Sequence, residues 1–338
     1  MKFSISFIIP FHNESEYISE TLESLESQIL NDLNIEIILV DGDSTDNSVD
    51  VITAIIKNSK NPNIQYKILS NPDRKTPYGF NLGISNSKAN IIGFGGAHTI
   101  YSQNLFKSVI NTFNNIEANV VGGGFNVIKP DKPGYISLAI SFLYDSPLGA
   151  GVASYHRKTE PGYVDTVFGG FYERSVFDKV GYFNVALSRC QDYELNVRVR
   201  KSGFKIYFDP ALNNIQIFKT DLRLLYKRSF NTGFYFPEAW FSNISNLNIR
   251  HIVPLLFLIY LISLCIVFMF SNHYTFFLFP LITYLALMIL STFHLMVTKK
   301  NIISSLITFP LFFMYHLTYG LGTMFGIFYH MFRKKLNG

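Results

Sequence analysis

Ile35-Glu36-Ile37-Ile38-Leu39-Val40-Asp41-Gly42-Asp43-Ser44-Thr45-Asp46-Asn47-Ser48 is the stretch that decides the fold. Ile35, Ile37, Ile38, Leu39 and Val40 make an apolar, largely β-branched run, which predicts a strand buried on both faces. The run stops at an acidic turn, Asp41 to Asp46, after which Val49, Ile52, Ile55 and Ile56 recur at helical spacing. Strand, acidic turn and helix form the first half of a nucleotide-binding α/β unit. Ligands of such open sheets lie outside the carboxyl ends of the strands, where these acids fall. No phosphate-cradling glycine pattern is present. Carboxylates repel phosphates, so the cluster suits base and ribose hydrogen bonds, or phosphates neutralised by a divalent cation. The alternative is that Asp43 or Ser44 caps the helix.

Outward from this stretch the pattern repeats. Phe3 to Pro10 reads as a first strand, Asn13 with Glu16 as a capping box, and Ile18, Leu22, Leu25 and Ile29 as one helix face. Further strands are expected at 64–69, 91–94, 119–125 and 163–168, with helices at 78–85, 103–114, 173–180 and one opened by 189–195 that runs to about 201. The fold class is therefore α/β, a mostly parallel sheet with helices on both sides. Residues 129–162, rich in Pro, Gly, Ser and Tyr, read as an irregular crossing segment.

From Ile252 the composition changes. Residues 252–270, 274–297 and 302–332 contain no Asp, Glu, Lys or Arg; the first two are long enough to cross about 30 Å of hydrocarbon, giving two crossings, and the third is too long for one simple crossing. The expected organisation is a domain over 1–235, a juxtamembrane linker over 236–251 and a membrane anchor over 252–338. Pro310, Gly320, Gly322 and Gly326 suggest that the third stretch is broken or lies at the interface. By the positive-inside rule the domain over 1–235 and Lys299-Lys300 are expected on the cytoplasmic side. Residues 1–6 lack a signal-peptide layout, which agrees with that side. Two cysteines argue against a disulfide framework. A net charge of +5, unclustered before the tail, argues against nucleic acid as partner.

With these residues in place the chain resembles the family 2 glycosyltransferases of GT-A fold, most of all the succinoglycan-type membrane-associated exopolysaccharide branch. The resemblance rests on Ile8-Ile9-Pro10-Phe11-His12-Asn13-Glu14, Val40 to Asp46, Asn71-Pro72 with Gly79-Phe80-Asn81-Leu82-Gly83, Ser146-Pro147-Leu148-Gly149, Val164 to Gly169, and Gln191-Asp192-Tyr193-Glu194-Leu195-Asn196. It implies inverting transfer of one sugar from a UDP-sugar to a lipid-linked acceptor in surface polysaccharide synthesis, with no organic cofactor. It sets Pro10, Glu14, Asp41 and Asp43 around the nucleotide and makes Asp192 the catalytic base; as a residue alone, Asp192 also suits a helix cap. It sets His98, Gly169, Gly170, Lys227 and Arg228 on the diphosphate and sugar. The plainer readings are a loop histidine, a strand-ending turn, and a solvated or lipid-facing helix face.

The branch's metal motif reads Asp-Ala-His, and here it reads Gly96-Ala97-His98. Mg²⁺ or Mn²⁺ on His98 then needs a substitute acid such as Asp43, or else cations such as Arg74 and Lys75 neutralise the diphosphate. Two further readings stand beside the first: transfer to polyprenyl phosphate itself, and a non-catalytic scaffold that has lost the carboxylate at position 96.

Overall fold

A computed structural model describes residues 4–30, 32–149, 159–187, 189–242, 251–270 and 275–337, with backbone alone at 125–128, 242 and 333–337. The chain divides into two compact units, Met1–Lys129 with Ser154–Ile217, and Pro130–Ala153 with Phe218–Gly338. In chain order the elements are β1 (Ile5–Phe11), α1 (Ile18–Glu26), β2 (Ile35–Asp41), α2 (Ser48–Lys57), β3 (Ile64–Ser70), α3 (Thr76–Asn86), β4 (Ile91–Phe94), β5 (Thr99–Ile100) and α4 (Leu105–Asn115). Then come β6 (Val120–Gly123), β7 (Phe125–Pro130), α5 (Tyr135–Asp145), β8 (Gly162–Tyr163), β9 (Phe168–Glu173), α6 (Arg174–Val180), α7 (Gln191–Lys201), β10 (Ile206–Phe208) and β11 (Asn214–Phe218). The remaining helices are α8 (Leu222–Ser242), α9 (Val253–Phe270), α10 (Phe279–Lys299) and α11 (Ile302–Asn337).

The first unit is built on an eight-stranded sheet in the order β3-β2-β1-β4-β9-β6-β10-β8. Parallel pairing joins β3, β2, β1 and β4, and also β6 and β10, while β9 and β8 run against their neighbours. β1 and β2 pair from Ile5 opposite Ile35 to Phe11 opposite Asp41, so their following loops leave the same sheet edge. Alternation along β2 sends Ile35, Ile37 and Leu39 into one core cluster and Ile38 and Val40 into another. Both faces are therefore covered, as the apolar run predicts. A smaller sheet, β5-β11-β7, adjoins the loop after β4.

The second unit gathers α5 and α8 to α11. Ala139, Ile140 and Leu143 of α5 pack in one cluster with Leu225, Met288, Leu295, Leu311 and Phe312. Three stretches are long and apolar enough to cross a membrane: Val253–Phe270, Phe276–Lys299 and Ile302–Phe332, with mean hydropathies of 2.8, 2.1 and 1.4. Large apolar side chains on them point outward, Phe270 and Phe276 at 81% and 85% exposure. That inverted pattern suits a hydrocarbon solvent.

Several expectations give way. Asn13 and Glu16 form no capping box, because α1 begins at Ile18 without a side-chain cap and Asn13 serves the loop after β2 instead. Residues 135–145, expected to be irregular, form α5, whose apolar side chains are buried in the second unit. The strand expected over 163–168 lies over Phe168–Glu173, with only the two-residue β8 before it. The third apolar stretch is one continuous helix that takes Pro310 inside it. Its glycines are packing seats: a Cβ on Gly322 would come within 2.1 Å of the Phe230 carbonyl oxygen, and one on Gly326 within 2.2 Å of that of Phe234. α8 therefore lies backbone to backbone against α11, the geometry that small residues allow between apolar helices. α8 also runs through residue 235, where a boundary is expected, while 243–250 of the expected linker fall outside the described residues.

Candidate active site

A cleft of about 380 Å³ opens at the carboxyl ends of β1, β2 and β4. Its walls include Pro10, His12 and Glu14 after β1, Gly42 after β2, Asn71, Arg74 and Lys75 after β3, and Gly95 to His98 after β4. Gly169, Gly170 and Tyr172 of β9 and Gln191 and Asp192 of α7 close the far side.

Reciprocal hydrogen bonds join the first two loops. The Asn13 side-chain oxygen accepts from the Thr45 amide at 2.8 Å and the Asp46 amide at 3.2 Å. In return the amides of Asn13, Glu14 and Ser15 donate to the side chains of Ser44, Ser48 and Asp46 at 3.1, 2.8 and 3.1 Å. Burial acts to raise the Asp46 carboxyl, but the hydrogen bonds from Ser48 and Ser15 outweigh it and hold the group well below the usual carboxylate range. Asp41 accepts from the Ser44 amide at 2.9 Å, shaping this turn beside the cleft rather than lining it. Asp43, in the left-handed region at φ 61°, binds the Arg74 guanidinium, with Nε at 2.9 Å.

Asp192 occupies the first turn of α7 and presents its side chain to the cleft. Although solvent in the cleft reaches it, protein crowds it closely. That desolvation pushes the carboxyl above its ordinary value, against backbone hydrogen bonds from Tyr193 and its own amide, which act to lower it. Beneath it the Tyr172 hydroxyl donates to Asn196 at 2.8 Å, and Asn196 donates to Thr166 at 2.9 Å. This buried relay ties α7 to β9. Burial first, and the nearby Asp192 charge second, hold the Tyr172 phenol in its protonated form. Glu194 is turned away from the cleft into a bidentate pair with Arg198, at 2.8 and 2.9 Å. Gly169 adopts φ 55°, a left-handed conformation that side chains disfavour.

His98 and Glu14 meet in the cleft, Nδ1 lying 3.4 Å from Oε1, and the Gln216 amide sits 3.4 Å from His98 Nε2. The Gly96 backbone is clamped by Tyr101, whose hydroxyl accepts from its amide at 2.9 Å and donates to its carbonyl at 3.1 Å. Mg²⁺ and Mn²⁺ favour several oxygen ligands in near-octahedral array. Here Gly96 offers no carboxylate, Asp43 is engaged by Arg74, and among the described residues no three His, Cys, Asp or Glu converge. Among the described residues this donor set falls short of the oxygen-rich array such a cation favours.

Of the residues singled out by sequence, Pro10, Glu14, His98, Gly169, Gly170 and Asp192 share the cleft. Asp41 and Asp43 support its rim. Lys227 and Arg228 lie on α8 in the second unit, where Arg228 stacks 4.3 Å above the Phe218 ring. Sequence reasoning missed His12, Tyr172, Gln191 and Gln216. His12 stood inside a quoted motif, donating to the Gly42 carbonyl at 2.8 Å, whereas Gln216 arrives from a distant strand with no local signature.

The comparisons with known proteins agree with this architecture. The sequence model described as "Glycosyl transferase family 2" matches residues 6–181. A Methanococcus voltae protein, dolichyl N-acetyl-alpha-D-glucosaminyl phosphate 3-beta-D-2,3-diacetamido-2,3-dideoxy-beta-D-glucuronosyltransferase, is 31% identical over 78% of this chain and 81% of its own. The succinoglycan biosynthesis protein ExoA of Rhizobium meliloti is 22% identical over 73% of each. Among solved structures, a mannosyltransferase from Pyrobaculum calidifontis in complex with GDP-Man and Mn²⁺ superposes with a TM-score of 0.60 at 14% identity, over 92% of this chain and 87% of that one. A mostly parallel sheet with its cleft at the strand ends, three apolar C-terminal helices and these matches lead to one conclusion: the chain belongs to glycosyl transferase family 2 and has the GT-A fold.

Proposed function

We propose that this glycosyltransferase moves one sugar from a UDP-sugar to a lipid-linked acceptor with inversion at the anomeric carbon. The observation that carries the reading is Asp192, a carboxylate open to the cleft, fixed at a helix start and made more basic by desolvation. In the reaction an acceptor oxygen forms a bond to the anomeric carbon while the bond from that carbon to the diphosphate oxygen breaks. The bonding electrons leave with UDP, and Asp192 takes the acceptor's proton, for which it must lie within about 3 Å of it. Pro10 and Glu14 face the nucleotide from the first loop, with Asp41 and Asp43 shaping its rim. Gly169 and Gly170 bring backbone close to the sugar.

The lipid-linked acceptor is supported by the apolar helices and by the Methanococcus voltae relative, whose name specifies a dolichyl-linked sugar phosphate. Lys299-Lys300 favour a cytoplasm-facing catalytic unit.

Asp192→Asn should abolish transfer while UDP still binds, because the amide keeps the shape but cannot accept the proton. Full turnover by this variant would remove Asp192 from the mechanism. In the wild-type enzyme a raised carboxyl must be deprotonated to act. The acid limb of kcat/KM should therefore lie above the ordinary aspartate value of 3.8, with activity falling as pH drops through it.

A further inference from the structure

The cleft contains charge that the proton-transfer step does not use. Two of its lining residues carry permanent positive charge, Arg74 and Lys75, and both stand in the turn between β3 and α3. Arg74 is bound to Asp43. Lys75 is exposed and forms no ion pair within 4.0 Å with any described side chain. It is the residue immediately before α3, and Thr76, the first helical residue, lines the cleft as well. The start of an eleven-residue helix, with its partial positive charge, therefore opens on the cleft beside the Lys75 ammonium. Elsewhere in the cleft Glu14 and His98 are held against each other, and position 96 is a glycine.

Resting on the transferase reading above, we infer that this enzyme holds the donor's diphosphate without a divalent cation, with Lys75, Arg74 and the start of α3 supplying the positive charge. Lys75 is the principal contact, because it is the one of the two cations not already neutralised. Arg74 adds to it when it exchanges Asp43 for a phosphate oxygen. Glu14 and His98 form a polar wall. Leaving-group stabilisation then comes from fixed side-chain and helix charge, the same electrostatic role that a metal would fill.

The test is calorimetric titration of UDP, and in parallel GDP, into the full detergent-solubilised chain, once with EDTA and once with Mn²⁺. The expected result is equal affinity in both conditions. Lys75→Ala should bind about tenfold more weakly or worse in both, as fits the loss of one charge-assisted contact. Gly96→Asp places a carboxylate beside His98, where a Cβ meets only Thr99 Oγ1 at 3.1 Å. That variant should gain a response to Mn²⁺ which the parent lacks. Wild-type binding that appears only with Mn²⁺ and is lost in Glu14→Gln would overturn the inference and assign Glu14 and His98 as metal ligands, leaving the transferase reading intact. Unchanged affinity in Lys75→Ala would overturn it too. Absence of binding by either nucleotide under both conditions would overturn this inference together with the reading beneath it.

Discussion

For Asp192 in its proposed role as base, function and stability pull in opposite directions. Its carboxyl is raised because the fold disfavours the charged form, which is what makes it a better base near neutral pH. The same desolvation destabilises the folded state once the group ionises. Asp192→Asn is therefore expected to raise the thermal unfolding midpoint above the folded-state pKa. The gain should shrink as pH falls through that value and vanish below the unfolded value of 3.8. Circular dichroism melts of both proteins across pH would show it, and equal midpoints at all pH values would contradict the proposed desolvation. Asp192 was singled out in sequence through the resemblance carried by Gln191 to Asn196, since its type and its position at a helix start alone suit a cap as well. Asn13 was misread for a related reason: its spacing to Glu16 imitates a cap, whereas its partners, Thr45 and Asp46, lie over thirty residues away. Local spacing cannot report such a partner.

Elements were read best where one face decides them. β2, α2 and α4 fall within a residue or two of expectation, because burial on a regular period leaves a strong trace. Glycine misled in α11. In water-soluble helices it signals an end, yet in an apolar medium the backbone must satisfy its own hydrogen bonds, so the helix continues. Glycine then marks where a neighbour comes close. Ser229 completes this seam, donating to the Tyr315 carbonyl at 2.8 Å. Gly322→Leu should drive a side chain into the Phe230 backbone and destabilise the second unit by about 1–3 kcal/mol or more, the scale of overpacking in a filled core. A thermal melt in detergent reads this directly, and an unchanged midpoint would mean that the two helices separate readily.

For the molecule as a whole, the sequence announced a nucleotide-type sheet and an apolar tail, but not that α5, cut from the middle of the chain, belongs with the tail. Its buried face, Ala139, Ile140 and Leu143, is short and interrupted by serines, so it reads as loop until its partners from α10 and α11 are present. A chain carrying three such apolar helices is suited to an acceptor confined to a bilayer. In vesicles containing the purified enzyme, an acceptor sugar on a long polyprenyl diphosphate should therefore turn over faster than the same sugar on a short water-soluble tail. Equal rates at equal bulk concentration would detach the anchor from acceptor choice.

The bonds that run both ways between Asn13, Glu14 and Ser15 and the turn Ser44 to Ser48 carry a further consequence. Neither loop can lift away without breaking the other's contacts, so the two open as one cooperative unit or not at all. A nucleotide arriving at that edge, as the proposed reaction requires, meets two loops whose backbone is already braced. It loses little affinity to the ordering of protein, and discrimination among bases is then set by fit to a rigid template rather than by closure around the guest.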